Sequence, residues 1–227
     1  VKKILSFVLA FIMVVGLLPV TEIPAAAAVP LVKENGFTYV IINDHGTFLT
    51  YSNELGDIDN IEENGVNFLR GYVDSGAYII GYDGSDVIVP EKLGGADVVY
   101  ISLVQQGIET LDVSACKELK ILVCSYNQIT ELNLSNNPEL IELDCWNNRL
   151  TSLNVSSNPK LRVFYADKNE LTKLDVSNNP LLEIFWCPNN NLTSLDVSNN
   201  PELWRLYCGE NQLFVIVFCV RRRDAEP

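Results

Sequence analysis

The stretch LTSLDVSNNPELWRLYCGENQ, residues 192–212, decides the fold, because near copies of it begin at Ile108, Ile129, Leu150 and Leu171. At a shift of 21 residues, Leu or Ile recurs at positions 108, 129, 150, 171, 192 and 213, and again at 111, 132, 153, 174, 195 and 216. Asparagine recurs at 137, 158, 179 and 200, each time followed by proline, and a second asparagine series runs through 127, 148, 169, 190 and 211. Self-similarity at a fixed period marks a repeat array in which each unit stacks on its neighbours. One coil of 21 residues cannot bury its own leucines, so the apolar columns close only when coils share a core.

Each unit divides into two halves, LTSLDVSNNPE and LWRLYCGENQ. In LxxLxV the last two apolar letters alternate with polar ones, as a short strand with one buried face requires, and the asparagine three residues later closes the bend. A buried Asn side chain carries two N–H donors and an acceptor, which suits it to backbone groups that leave a strand ladder. Upstream, Val98, Ile101, Leu103 and Gln106 fall in the columns of Leu119, Leu122, Cys124 and Asn127, which predicts a half-coil with Gln in the Asn slot. Cys116 stands in the other Asn column. Downstream, Ile216 and Phe218 keep register, but Val220 and Arg221 stand where Asn199 and Asn200 stood.

These half-units fit LxxLxLxxNxL and its cysteine variant, and the chain resembles bacterial secreted and surface leucine-rich-repeat proteins with 21-residue cysteine-bearing repeats of the internalin J-like kind. The stretch from Tyr78 to Ile101, with IGYDGSD, VIVP and LGG, is similar to a BspA-like entry repeat. The resemblance covers roughly Ala77 to Phe218. It implies a mainly β, right-handed curved solenoid, export, and a role in adhesion or protein binding, with no catalytic residue to carry over. The wall-anchoring signal and downstream domains of such proteins have no counterpart in this sequence, which puts attachment to the cell in doubt.

The ends are read separately. Lys2 and Lys3, the apolar run from Ile4 to Val20, and Ala25 to Ala28 predict a secretory signal peptide over 1–28, cut after Ala28. Residues 29–97, glycine- and aromatic-rich and without the period, predict a short-stranded N-terminal β cap. The solenoid is expected over 98–218, as a half-coil, five units and a partial terminal coil, with a tail over 219–227. The apolar run from Leu213 to Val220 is too short for a bilayer that takes about 20 residues, so no transmembrane span is expected after the leader. The net charge of −13 and the lack of a basic patch exclude a nucleic-acid binder.

Four cysteines share a column, Cys124, Cys145, Cys187 and Cys208, and Ala166 fills the missing place. In-register neighbours lie about 4.8 Å apart with parallel side chains, a poor start for a disulfide, whose Cβ atoms converge to about 3.8 Å. Ala166 points to packing by small apolar groups. Disulfide pairing and metal binding stay open beside it, although the repeat offers no histidine or second soft ligand. No cofactor or metal site is expected.

In the SNNP half the outward letters barely change: Asp112, Asn133, Asn154, Asp175 and Asp196 form a column that reads as a solvated, self-stacking face. In the cysteine half they vary: Val123, Asp144, Tyr165, Trp186 and Tyr207, flanked by Ile121, Glu142, Val163, Ile184 and Arg205. Clustered exposed aromatics bury large area at low entropy cost, so Asp144, Tyr165, Trp186, Tyr207, Trp146, Trp204 and Arg205 are the expected partner-binding residues. The partner class is protein or surface glycan, and the chain is expected to be monomeric. A passive cell-envelope element, or the remnant of a larger adhesin, is the alternative. Catalysis is the weakest reading, since His45 is the one histidine and lies outside the array.

Overall fold

A computed structural model describes residues 32–42 and 76–218. The expected leader over 1–28, His45 and the tail over 219–227 lie outside the described residues. The described residues carry fourteen strands and form a leucine-rich-repeat β-solenoid. Among them, no helix is long and apolar enough to cross a membrane.

The backbone of the solenoid is one parallel ladder. It runs through β6 (Ala96–Ser102), β8 (Ile121–Val123), β9 (Glu142–Asp144), β10 (Val163–Tyr165), β11 (Ile184–Trp186) and β13 (Arg205–Tyr207). Neighbours pair in register at the sequence period, Glu142 with Val163, Val163 with Ile184 and Ile184 with Arg205. Upstream, β1 (Val32–Glu34), β2 (Phe37–Ile42) and β3 (Gly76–Tyr82) extend the same sheet, β1 to β2 and β2 to β3 antiparallel, β3 to β6 parallel. Parallel stacking therefore begins at β3. It is matched on the other side of that coil by β4 (Asp86–Ile88) against β7 (Thr110–Asp112), while β5 (Lys92–Leu93) folds back on β6.

The middle letter of each ladder strand points inward. Leu122, Leu143, Phe164 and Phe185 are fully buried, and the two phenylalanine rings stack 5.2 Å apart at 7°. The Leu and Ile columns at 108, 129, 150, 171 and 192 complete the core. Cys124, Cys145, Ala166 and Cys187 fill one buried column, and the five described cysteines are unpaired thiols. Burial drives the Cys124, Cys145 and Cys187 thiols far above the usual range, which keeps them neutral.

Two asparagine columns hold the coils together, by different means. In the first, Asn169 Nδ2 donates to Cys145 O of the preceding coil at 3.1 Å and to Ala166 O of its own at 3.2 Å, while its Oδ1 accepts from Leu150 N at 3.1 Å. Asn127, Asn148, Asn190 and Asn211 repeat that pattern. The second column uses only its amide nitrogen: Asn179 Nδ2 donates to Val155 O at 3.0 Å and Asn158 O at 2.9 Å, and its buried Oδ1 makes no hydrogen bond.

Two departures from the asparagine slots are informative. Cys116 aims its thiol at Pro90 O, 3.4 Å away, and so serves a carbonyl of the preceding turn as Asn would. Gln106 does not join its column. It is exposed and its Nε2 returns to Val104 O at 3.2 Å, because one extra methylene makes the amide overreach the inner bend; the ladder starts at Asn127 instead.

The expected self-stacking column of the SNNP half has a more local role. Oδ1 of Asp112, Asn133, Asn154, Asp175 and Asp196 accepts the N–H two residues on, at 2.8 to 3.1 Å, which bends the chain directly after the buried leucine. Pairing on this side is sparse: β4 with β7, an isolated bridge between Asn133 and Asn154, and the pair β12 (Ser194–Val197) with β14 (Val215–Phe218).

Because Asn169 serves the Leu150 N–H donor and the carbonyls of two coils, Asn169→Ala is expected to cost about 2–3 kcal/mol, and Asn179→Ala about 1 kcal/mol less; urea denaturation of both variants checks the order. Half-buried Cys208 is expected to react with Ellman's reagent in the native protein before Cys116, Cys124, Cys145 and Cys187, which peptide mapping of the labelled thiols tests.

Candidate functional site

The ladder leaves its first and third letters on the side away from the core, and there the coils differ. Tyr165, Trp186 and Tyr207 occupy one register column on β10, β11 and β13. Their rings meet edge to face, Tyr165 to Trp186 at 5.5 Å and Trp186 to Tyr207 at 6.0 Å. Arg205 places its guanidinium 5.2 Å from the Trp186 ring centre. Ring edges against ring faces, with a cation over the central indole, form a preorganised row whose side chains lose little freedom on binding.

Exposure grades along the row. Tyr165 and Trp186 are half-buried, whereas Tyr207 is 55% exposed and nearby Trp204 is 48% exposed. Trp146 belongs to a separate cluster at the bend after β9: its ring lies 4.8 Å from Tyr126, and Lys168 Nζ stands 5.2 Å from its centre. Tyr126, Asn147, Lys168, Asn189 and Glu210 all adopt positive φ, between 50 and 57° apart from Lys168 at 48°, one per coil. Tyr126 and Lys168 fall outside the contacts expected from the repeat pattern. Their place immediately before the asparagine column was the available signal.

Asp144 departs from the expectation of an exposed contact. It is 2% exposed. Its Oδ1 accepts the Trp146 N–H at 3.1 Å, and it also takes a hydrogen bond from the buried Ser125 hydroxyl. A short carboxylate that can close a turn on its own backbone is drawn down, where the aromatic residues of its column cannot follow. Glu142, two residues earlier on the same face of β9, is buried too, and so is Asp167 in the next coil. Burial, with Asp144 adding to it, lifts Glu142 to about 8; burial lifts Asp144 to about 7 against its two hydrogen bonds. Asp167 rises to about 7 for the same reasons, burial first and Asp144 second. Among the described residues, no three His, Cys, Asp or Glu side chains group as metal ligands.

No protein family's sequence profile matches the chain, and comparison with curated proteins finds no match. Solved structures do match. The functional domain of InlJ from Listeria monocytogenes, described as including a cysteine ladder, is 35% identical over 49% of this chain and 28% of its own, with a TM-score of 0.46. A leucine-rich-repeat protein of Leptospira interrogans is 25% identical over 55% of this chain and 38% of its own, with a TM-score of 0.44. An internalin, InlF of Listeria monocytogenes, is 19% identical over 55% and 42%, with a TM-score of 0.47. The chain thus spans less than half the length of each. These likenesses are to internalins and other leucine-rich-repeat proteins, the group the repeat pattern resembles.

A carboxyl whose pKa rises on folding binds its proton more tightly in the folded chain, so its stabilising effect is complete below the unfolded value and is lost as pH climbs through the folded one. For Glu142, Asp144 and Asp167 that window runs from about 4 to about 8. The melting temperature is expected to fall between about pH 5 and about pH 8, and Glu142→Gln should flatten the slope; calorimetry across that range checks both.

Proposed function

We propose that this chain is a secreted or cell-surface bacterial protein that binds a protein partner through the variable strand face of its solenoid. One observation carries the reading: the register-aligned row Tyr165, Trp186 and Tyr207 ends in an exposed ring, with Trp204 and Arg205 beside it. Tyrosine, tryptophan and arginine are the residues that dominate interface energetics, and a row already held by its own ring contacts is ready to bind. Export follows from the leader-like residues 1–28, with cleavage after Ala28, and accords with the acidic composition.

We read the face as a binder rather than an enzyme because its recurring letters are aromatic and aliphatic, and its carboxylates are sunk beneath them. Adhesion is the biological setting in which such a surface would be used. A passive envelope element would need no variation from coil to coil, yet the third letter of the ladder changes from Val123 to Asp144 to Tyr165 to Trp186 to Tyr207.

The test is capture of partners from envelope and host extracts on immobilised protein, followed by affinity measurement with the recovered partner. Tyr207→Ala combined with Trp204→Ala is expected to weaken capture by about 30-fold or more, the equivalent of about 2 kcal/mol, with an unchanged circular-dichroism melt. Undiminished capture by the double variant would move the site elsewhere.

A further inference from the structure

We propose that Glu142, Asp144 and Asp167 form a proton-operated switch beside the aromatic row, so that the row packs tightly while they are neutral and loosens as they become charged. The inference rests on the reading of that row as the binding face and supplies its regulation.

The geometry begins with one three-residue strand. Glu142 and Asp144 are two apart on β9, so both project from the same side of the sheet, about 7 Å apart at their origins. Both are buried, and Asp167 is buried one coil further on. Like charges in a water-poor site cannot all ionise cheaply, so at least part of the cluster must hold protons near neutrality.

The surroundings show what a lost proton would act on. From β8 and the bend after it, Ile121, Val123, Ser125 and Tyr126 approach. Ser125 donates to Asp144, and burial with the Asp167 and Asp144 charges pushes the Tyr126 phenol up. From the core side stand the Cys124 and Cys145 thiols, held neutral by burial. From β10 and its bend come Val163, Tyr165, Asp167 and Lys168, and from β13 comes Arg205. The cations act elsewhere in the cluster, Lys168 on Asp167 and Arg205 on Tyr165. Lys120, at the edge of β8, makes an interaction of its own.

Asp144 stands between the row and the Trp146 cluster. Its register partner on β10 is Tyr165, the first ring of the row, and its Oδ1 holds the backbone N–H of Trp146. Trp146 in turn holds Tyr126 by ring contact and Lys168 over its face. The indole N–H groups of Trp146 and Trp186 are both buried without a hydrogen-bond acceptor, so each is placed to report a new negative charge nearby. Ionisation of Asp144, Glu142 and Asp167 would draw in water and pull Lys168 off the Trp146 face toward Asp167. A partner that covers the row must keep the carboxyls dry, so its binding takes up protons and weakens as pH rises.

The experiment is a pH titration of the whole protein, with no partner present, so its result is independent of whether capture succeeds. Carboxyl carbon-13 shifts of Glu and Asp are followed together with the indole N–H resonances of Trp146 and Trp186. The expected result is a group of carboxyls titrating near neutrality, about 3 pH units above ordinary values, with both indole signals moving at the same midpoint. The Glu142→Gln, Asp144→Asn, Asp167→Asn triple variant should hold the indole signals still over that range. If every carboxyl of the wild-type protein titrates below about pH 5, or the indoles ignore the neutral titration, the switch is overturned, whether or not the variant folds.

Discussion

Everything in this solenoid depends on a side-chain amide placed where the chain leaves the strand ladder. At the end of each ladder strand the backbone turns inward and its carbonyls face a buried bend with no strand opposite. Asn127, Asn148, Asn169, Asn190 and Asn211 answer this by donating to the carbonyl of the cysteine-column residue in their own coil and in the one before. A buried carbonyl without a donor costs about 1–3 kcal/mol. One residue type therefore fixes the coil's closure and its stacking together. The column whose carbonyls they serve starts at Leu103 and continues with the small buried side chains of Cys124, Cys145, Ala166 and Cys187.

That constraint divides the coil into two halves with different freedoms. In the SNNP half, Asp or Asn turns the chain back on itself through its own backbone, and the letters hardly vary because the turn needs them. In the cysteine half, the asparagine and the ladder hold the backbone whatever stands at the outward positions. The left-handed residue before each asparagine shows this tolerance directly, since Tyr126, Asn147, Lys168, Asn189 and Glu210 all adopt it. Variation is free on that side, and there the aromatic row and the buried carboxyls are found.

The repeat, its columns and the core were legible in the sequence because a period of 21 states which residues share an environment. Even the neutral role of the cysteine column could be read, from Ala166 standing in it. Depth was not legible. Asp144 and Tyr207 share a column, yet one is buried and the other is the most exposed ring of the row. The difference arises from side-chain length and position: a short carboxylate can bond its own turn and Ser125, whereas the phenol stands on β13, the last ladder strand among the described residues. Gln106 failed its slot for a similar reason, one methylene too many. A period assigns columns, but hydrogen-bond reach decides who stays in them.

The most direct measurement of the account is hydroxyl-radical footprinting of the protein with its captured partner. Aromatic side chains react readily, so the expected result is loss of labelling at Tyr207 and Trp204 when the partner binds, with exposed Ile88 and Leu181 labelled as before. Protection of Ile88 and Leu181 while Tyr207 and Trp204 stay reactive would contradict the assignment of the binding face.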